Sequence, residues 1–288
     1  MKKSEMLSAL AGNNFRYLRV LTIAGSDSGG AAGIQADLKT ICALGCYGMT
    51  AITAITAQNT LGVTAIHGVP PGILKAQLQA VLDDIGVDAV KIGMLHSPEI
   101  VEVVAWAIDH YGIQRVVLDP VMVATSGDIL VGQETVSVLV RELFGRATVI
   151  TPNLDEAALL LGRQINDASQ LDQAAVDLMG LGASAALLKG GHLEGEQVID
   201  VLAQSGAPLQ RLQSARIDSR NVHGTGCTLS TAIACNLALG MDLASAVTAA
   251  RAYILRAIAN GASVTTGRGH GPLNHGHAPV PMTILPAQ

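Results

Sequence analysis

Five short runs carry the residue types that phosphate chemistry requires. Gly25-Ser26-Asp27-Ser28-Gly29-Gly30-Ala31-Ala32-Gly33 has four glycines in nine residues, which lets backbone approach a ligand closely. Gly224-Thr225-Gly226-Cys227 opens an alanine-rich segment; amides at such a helix start, with the helix dipole behind them, can hold an anion. Asp119-Pro120-Val121-Met122 puts an acid where a metal or a hydroxyl could be oriented. Asn153-Leu154-Asp155-Glu156 pairs an amide with a carboxylate, and Lys189-Gly190-Gly191-His192 sets a cation beside two glycines. Each run also has a plainer reading. The glycine loop can be a simple turn, Asn153 a helix N-cap with Glu156 as its capping-box partner, Cys227 a buried thiol, and Asp119 and Lys189 solvated loop charges. Together they supply a phosphate cradle, metal support and charge neutralisation, the components of phosphoryl transfer. A cysteine in a first helical turn is further expected to have a lowered pKa.

The elements that must position these runs alternate. Short apolar strands are expected at 20–24, 50–57, 89–92, 115–118, 148–150 and 185–188. Helices are expected at 34–44, 71–85, 98–111, 154–161, 171–181, 224–239 and 243–260. Residues 190–213 read as a hairpin region, the tail from Gly261 as irregular, and 1–17 as a frayed N-terminal extension. Alternation of this kind implies βαβ units. Right-handed crossovers then build a three-layer α/β/α sandwich on a mostly parallel sheet, with ligands at the carboxyl ends of its strands. Each of the five runs follows an expected strand or opens an expected helix. No linker divides 18–288, so one domain is expected there.

Composition narrows the function. The chain has 288 residues, 49% of them apolar and only 2% aromatic, with a formal net charge of −5 and no basic tract. Nucleic-acid binding through a cationic face is disfavoured. No uninterrupted apolar stretch reaches about 18 residues, so no membrane span is expected. Cys42, Cys46, Cys227 and Cys235 form no CxxC pair, and a thiol-bearing chain without a secretory leader fits a cytoplasmic protein. There is neither a GxGxxG dinucleotide fingerprint nor a Walker A lysine, which argues against a Rossmann oxidoreductase and a P-loop enzyme.

Several longer runs together resemble the hydroxymethylpyrimidine/phosphomethylpyrimidine kinases of the ribokinase-like superfamily: Ala24-Gly25-Ser26-Asp27-Ser28-Gly29-Gly30, Gly33-Ile34-Gln35-Ala36-Asp37-Leu38-Lys39-Thr40, Thr56-Ala57-Gln58-Asn59-Thr60, Lys91-Ile92-Gly93-Met94-Leu95, Asp119-Pro120-Val121-Met122-Val123, Thr151-Pro152-Asn153 through Glu156, and His223-Gly224-Thr225-Gly226-Cys227-Thr228-Leu229-Ser230. The resemblance runs from about Val20 to His275. It implies a ribokinase-like fold, ATP and Mg²⁺, a homodimer, and two successive phosphorylations of 4-amino-5-hydroxymethyl-2-methylpyrimidine in thiamine biosynthesis. Carried onto this chain, Gly25, Asp37, Gln58, Met94 and Val121 line the pyrimidine site. Asn153 and Glu156 match the NxxE motif that positions Mg²⁺ and phosphate through water, with Asp119 as a second metal-side acid. Lys189 and Thr225 contact the nucleotide, and Gly224, Gly226 and Cys227 form the anion hole.

One departure bears on mechanism. Many wider relatives have an aspartate, the catalytic base, where this chain has Cys227. Thiamine-pathway kinases commonly carry that cysteine, and a loose transition state depends on positioning and charge more than on a strong base. The principal alternative is a pyridoxal kinase with a second cysteine after the DPVM run; Val123-Ala124-Thr125-Ser126-Gly127-Asp128 contains none. A non-catalytic vitamin-binding protein is a further alternative, distinguished by the absence of ATP turnover.

Overall fold

The computed structural model describes residues 15–122 and 131–287. A nine-stranded sheet runs through the molecule. Its strands are β2 (Arg19–Asp27), β3 (Tyr47–Asn59), β4 (Gly62–Gly68), β5 (Ala89–Ile92), β6 (Val116–Leu118), β7 (Val149–Ile150), β8 (Ala185–Leu188), β9 (Gln197–Gln204) and β10 (Gln210–Ala215). The spatial order is β10-β9-β8-β7-β6-β5-β2-β3-β4. Pairings from β3 through β2, β5, β6 and β7 to β8 are parallel, and the outer strands β4, β9 and β10 pair antiparallel. The chain leaves β2 toward β3 on one side and later returns to β5 on the other. That reversal makes a crevice at the carboxyl end of β2, where ligands of open α/β sheets bind.

Alternate residues of the inner strands enter two separate cores, because a parallel sheet is covered on both faces. Leu21, Ile23, Val90, Ile92, Val116 and Leu118 face one core, whose helices are Pro71–Asp84, Pro98–His110, Gln133–Leu143, Leu154–Leu161 and Leu171–Met179. Val20, Ala89, Val117, Val149 and Leu187 face the other. That second core is closed by helix α1 (Gly33–Ala43) and two long helices here called α7 (Thr225–Ala238) and α8 (Leu243–Gly261). Local signals fix the helix starts. Ser97 caps the helix at Pro98, whose ring pre-sets the first helical φ. Asp242 caps α8 by accepting from the Ser245 amide.

The three-layer, mostly parallel expectation holds, as do the inner strands and the antiparallel hairpin within 190–213. Three features differ. Strand β4 and the helix Gln133–Leu143 were not anticipated; β4 is glycine-bounded and largely exposed, so it lacks a buried strand's apolar run. Residues 15–17 are not frayed: Phe15–Tyr17 (β1) pairs antiparallel with Ile284–Pro286 (β11). The tail is irregular but anchored. His223 and Pro272 form a bridge, the Asn274 amide donates to the Ala257 carbonyl, and Leu273 and His275 are buried.

His275 shows how firmly that tail is held. Its Nε2 lies 3.0 Å from Thr228 Oγ1 on the second turn of α7, and Tyr253 donates to its carbonyl at 2.6 Å. Burial pushes the imidazole down to about 4 from 6.5, with the Lys39 cation adding to the shift. The unfolded chain therefore takes up this proton first, so stability falls as pH drops from about 6.5 toward 4. Between pH 7 and 5 the native protein should lose on the order of 2 kcal/mol more than His275→Gln, read from urea midpoints. Equal losses would show that a neutral imidazole is not what the fold encloses.

Candidate active site

The strand ends converge on one cavity of about 1160 Å³. Its floor is the turn after β2. Gly33 has φ +55°, and a Cβ there would lie 2.3 Å from the Gly25 carbonyl oxygen. Asp27 organises the turn. Its carboxylate accepts from the amides of Gly29 at 2.8 Å, Ala31 at 3.0 Å and Ala32 at 2.8 Å. Burial alone would raise its pKa, but His223 and those amides hold it below the usual carboxylate range.

The start of α7 packs directly on this turn. Gly224 has φ +86°, and a Cβ on it would fall 1.8 Å from the Ala31 carbonyl oxygen. Only glycine fits. A Cβ on Gly226 would lie 3.1 Å from Lys189 Nζ and 3.5 Å from Asp119 Oδ2. The first turn of a fourteen-residue helix, with its Gly226 and Cys227 amides, thus opens beside a lysine. Lys189 is ion-paired to Asp119 at 2.8 Å, and Thr151 donates to the same carboxylate oxygen at 2.9 Å. Asn153 and Glu156 form the capping box anticipated as the plainer reading. Both nonetheless line the cavity, so the cap and the site are the same feature.

Gly25, Gln58, Met94 and Val121 line the cavity. Met94 packs close enough to Gly25 that a Cβ there would lie 2.9 Å from its Cε. Asp119, Glu156, Lys189, Gly224, Thr225, Gly226 and Cys227 line the same cavity. The Thr225 hydroxyl is spent on the Val222 carbonyl at 2.5 Å. Asp37 does not line the cavity. It is fully buried behind it, accepting from Thr22 at 2.5 Å, Thr231 at 2.7 Å, and Lys91 at 2.9 and 3.1 Å. Its position follows from the phase of β5: Lys91 alternates with Val90 and Ile92, points toward α1 and α7, and needs a counter-charge there. Lys91 reaches the cavity wall itself and was not assigned a role from sequence. A lysine inside the apolar run Ala89-Val90-Lys91-Ile92 was the available signal, since such a charge is buried only with a partner. Asp27 and His223 were likewise quoted in motifs without a role.

Cys227 departs from expectation. Burial pushes its thiol up to about 11; the Lys91 cation opposes this and the carboxylates of Asp37 and Asp119 add to it. The helix start does not outweigh enclosure, so Cys227 is a thiol rather than a thiolate at neutral pH.

Glu156 is pushed up to about 7 by burial, with Lys189 opposing and Asp119 reinforcing the rise. Two hard carboxylates forced together ask for a cation. Among the described residues no cluster of three or more His, Cys, Asp or Glu side chains could hold a metal ion. Mg²⁺ suits that arrangement, because it is commonly held by one or two carboxylates plus substrate phosphates. Residues 125–127, whose closure over substrate the sequence left open, lie outside the described residues.

A glycine turn after the first inner strand, an NxxE cap and a glycine-led helix on one such sheet define the ribokinase-like small-molecule kinases. Comparison with known proteins is more particular. The family described as phosphomethylpyrimidine kinase matches residues 27–274. The hydroxymethylpyrimidine/phosphomethylpyrimidine kinase of Rhizobium meliloti is 52% identical over 89% of this chain and 96% of its own. Phosphomethylpyrimidine kinase from Clostridium difficile, a solved structure, is 42% identical with a TM-score of 0.74 over 83% of this chain and 99% of that one. An ADP complex of Bacillus subtilis pyridoxal kinase is 38% identical with a TM-score of 0.83, over 90% and 98%. The chain belongs to the hydroxymethylpyrimidine/phosphomethylpyrimidine kinase family. Among the described residues no helix is long and apolar enough to cross a membrane.

The placement of Asp37 yields a test. Lys91→Met strands a buried carboxylate and should cost about 3–5 kcal/mol, measured by urea unfolding. Lys91→Met with Asp37→Leu should recover most of that loss, as a buried pair replaced by apolar groups often does. If Asp37→Asn instead left stability intact and raised only the pyrimidine KM, Asp37 would be a substrate contact.

Proposed function

We propose that this chain transfers the γ-phosphoryl group of ATP to the hydroxymethyl group of 4-amino-5-hydroxymethyl-2-methylpyrimidine, and then phosphorylates the resulting monophosphate to the diphosphate. One observation carries the reading. A single cavity is lined both by Gln58 and Met94 and by the α7 start with Lys189, which suits an aromatic acceptor beside a transferring phosphoryl group. The Gln58 amide both donates and accepts, matching the adjacent ring nitrogen and amine of an aminopyrimidine. Met94 lays a polarizable thioether against the ring. The α7 amides and Lys189 stabilise charge on the phosphoryl oxygens, and Asp119 fixes Lys189 in place. Ile254, Leu255 and Ile258 of α8 extend the cavity as an apolar wall suited to a nucleotide base. Asp119 and Glu156 would hold Mg²⁺ through water, and the ion would neutralise charge on the nucleotide phosphates.

With a protonated thiol at Cys227, the hydroxymethyl proton leaves late, and acceptor alignment matters more than base strength. The second acceptor is already an anionic phosphate. A single domain over 18–288, a homodimer and a cytoplasmic setting belong to the same reading. Two cores sharing one sheet support the first, the exposed apolar Ile55, Leu61 and Ile66 of the β3–β4 ribbon the second, and four free thiols the third.

A mass-resolved assay with Mg-ATP on hydroxymethylpyrimidine, its monophosphate and pyridoxal tests the proposal. Conversion of both pyrimidines to the diphosphate is expected. Efficient use of pyridoxal with no diphosphate formed would assign the chain to vitamin B6 salvage instead. Cys227→Ala should slow both pyrimidine steps to a similar degree, within roughly threefold of each other, as loss of positioning does. A loss confined to the hydroxymethyl step would restore the thiol as proton acceptor.

A further inference from the structure

The backbone of Gln58 is pinned to the glycine turn, its amide donating to Ser28 Oγ at 2.8 Å and its carbonyl accepting from the same hydroxyl at 2.7 Å. What remains open is which end of its side-chain amide points where, since oxygen and nitrogen are isosteric and only the protons around them decide. Two neighbours flank the amide. Thr56 Oγ1 lies 3.1 Å from one end and 2.8 Å from the Ser26 carbonyl. His223 Nε2 lies 3.1 Å from the other end and 3.4 Å from Asp27 Oδ2.

The structure sets Gln58 Oε1 toward Thr56 and Nε2 toward His223; counting protons reverses the two. A hydroxyl has one proton, and the Ser26 carbonyl, which can only accept, takes it. Thr56 therefore offers Gln58 a lone pair and calls for the NH₂ end. On the other side, Asp27 is an ionised carboxylate already receiving three amides, and it can only accept. A bare Nε2 facing it would be repelled, so Nε2 carries a proton, shared between Asp27 at 3.4 Å and the nearer end of Gln58 at 3.1 Å, which must then be the carbonyl. The two contacts agree independently.

We propose that His223 is a specificity-positioning residue: the proton on its Nε2, held by Asp27, turns the Gln58 carbonyl toward His223 and its NH₂ toward Thr56, fixing the order of donor and acceptor shown to the substrate ring. This rests on Gln58 being the pyrimidine contact. The outer edge of the amide then presents one N–H to the ring nitrogen and one carbonyl lone pair to the 4-amine. The 4-oxo analogue, 5-hydroxymethyl-2-methylpyrimidin-4-one, presents the reverse order, a ring N–H beside a carbonyl. A ring turned over to match would carry its hydroxymethyl group to the opposite side.

The experiment compares kcat/KM for the 4-amino substrate and the 4-oxo analogue, whose reacting groups are the same. The native protein should favour the amine by roughly 10²-fold or more, as sites built on paired hydrogen bonds do. In His223→Leu the amide is free to turn, and the ratio should fall below roughly tenfold, mainly through KM. Thr56→Val, which removes the second anchor with little change in shape, should move the ratio the same way. Calorimetric binding of an ATP analogue checks that each variant is folded. Nitrogen NMR of ¹⁵N-histidine-labelled native protein, assigned by the signal lost in His223→Leu or by selective labelling, should show Nε2 protonated. An unchanged ratio in folded variants, or an unprotonated Nε2, overturns the proposal. Gln58→Met separates the two levels. If it abolishes discrimination while the His223 and Thr56 variants keep it, positioning by His223 fails and Gln58 recognition stands; if Gln58→Met keeps discrimination, recognition by Gln58 fails.

Discussion

A lysine with no exposed surface sits near the centre of this protein, and much of the site follows from how its charge is answered. Lys91 lies opposite Thr22 in the register of β2 and β5. Its partner, Asp37, comes from α1, and the remaining capacity of that carboxylate is filled by Thr22 and by Thr231 of α7. One buried carboxylate thus ties two strands to two helices. An unpaired charge at this depth would be costly, so both helices are held at defined heights on the sheet. Their amino-terminal ends are the glycine turn and the Gly224–Cys227 start of α7. The pair accordingly sets where those two backbone segments stand, without touching the cavity through Asp37.

The second constraint is close approach. The Gly224 backbone rests on Ala31, and Gly33 on Gly25. Helix start and turn are therefore in direct backbone contact, leaving no thickness for a side chain between them. Charge within the resulting cleft is distributed in opposition. Lys189 and Lys91 supply its cations, and beside them burial, reinforced by Asp119, pushes the Glu156 carboxyl up to about 7. Such a site has little net charge of its own to lose when nucleotide phosphates enter, because its positive and negative groups are already matched.

Much of this was legible in the chain. The inner strands announce themselves because both faces are apolar, and the parallel topology then gathers Gly25, Asp119, Asn153 and Lys189 at one edge. The Asn153–Glu156 spacing correctly suggested a capping box. What sequence could not supply was depth. The resemblance put Asp37 among the substrate contacts, yet the phase of α1 turns it toward Lys91. Cys227 was expected to be acidic from its place in a first turn, whereas its enclosure raises the thiol to about 11. Strand β4 went unseen because an exposed ribbon has no apolar period to detect. The pairing of His223 with Gln58 spans 165 positions, beyond any local pattern.

The short pairing of Phe15–Tyr17 with Ile284–Pro286 has a practical meaning. It lies beside the amino-terminal end of β2, and the tail leading into it hydrogen-bonds to Ala43 and Gly45 at the far end of α1. The cavity is at the opposite edge of the sheet. Phe15 and Pro286 are direct partners in that pairing, so the chain enters the fold and leaves it at one place, with its back to the mouth of the cavity.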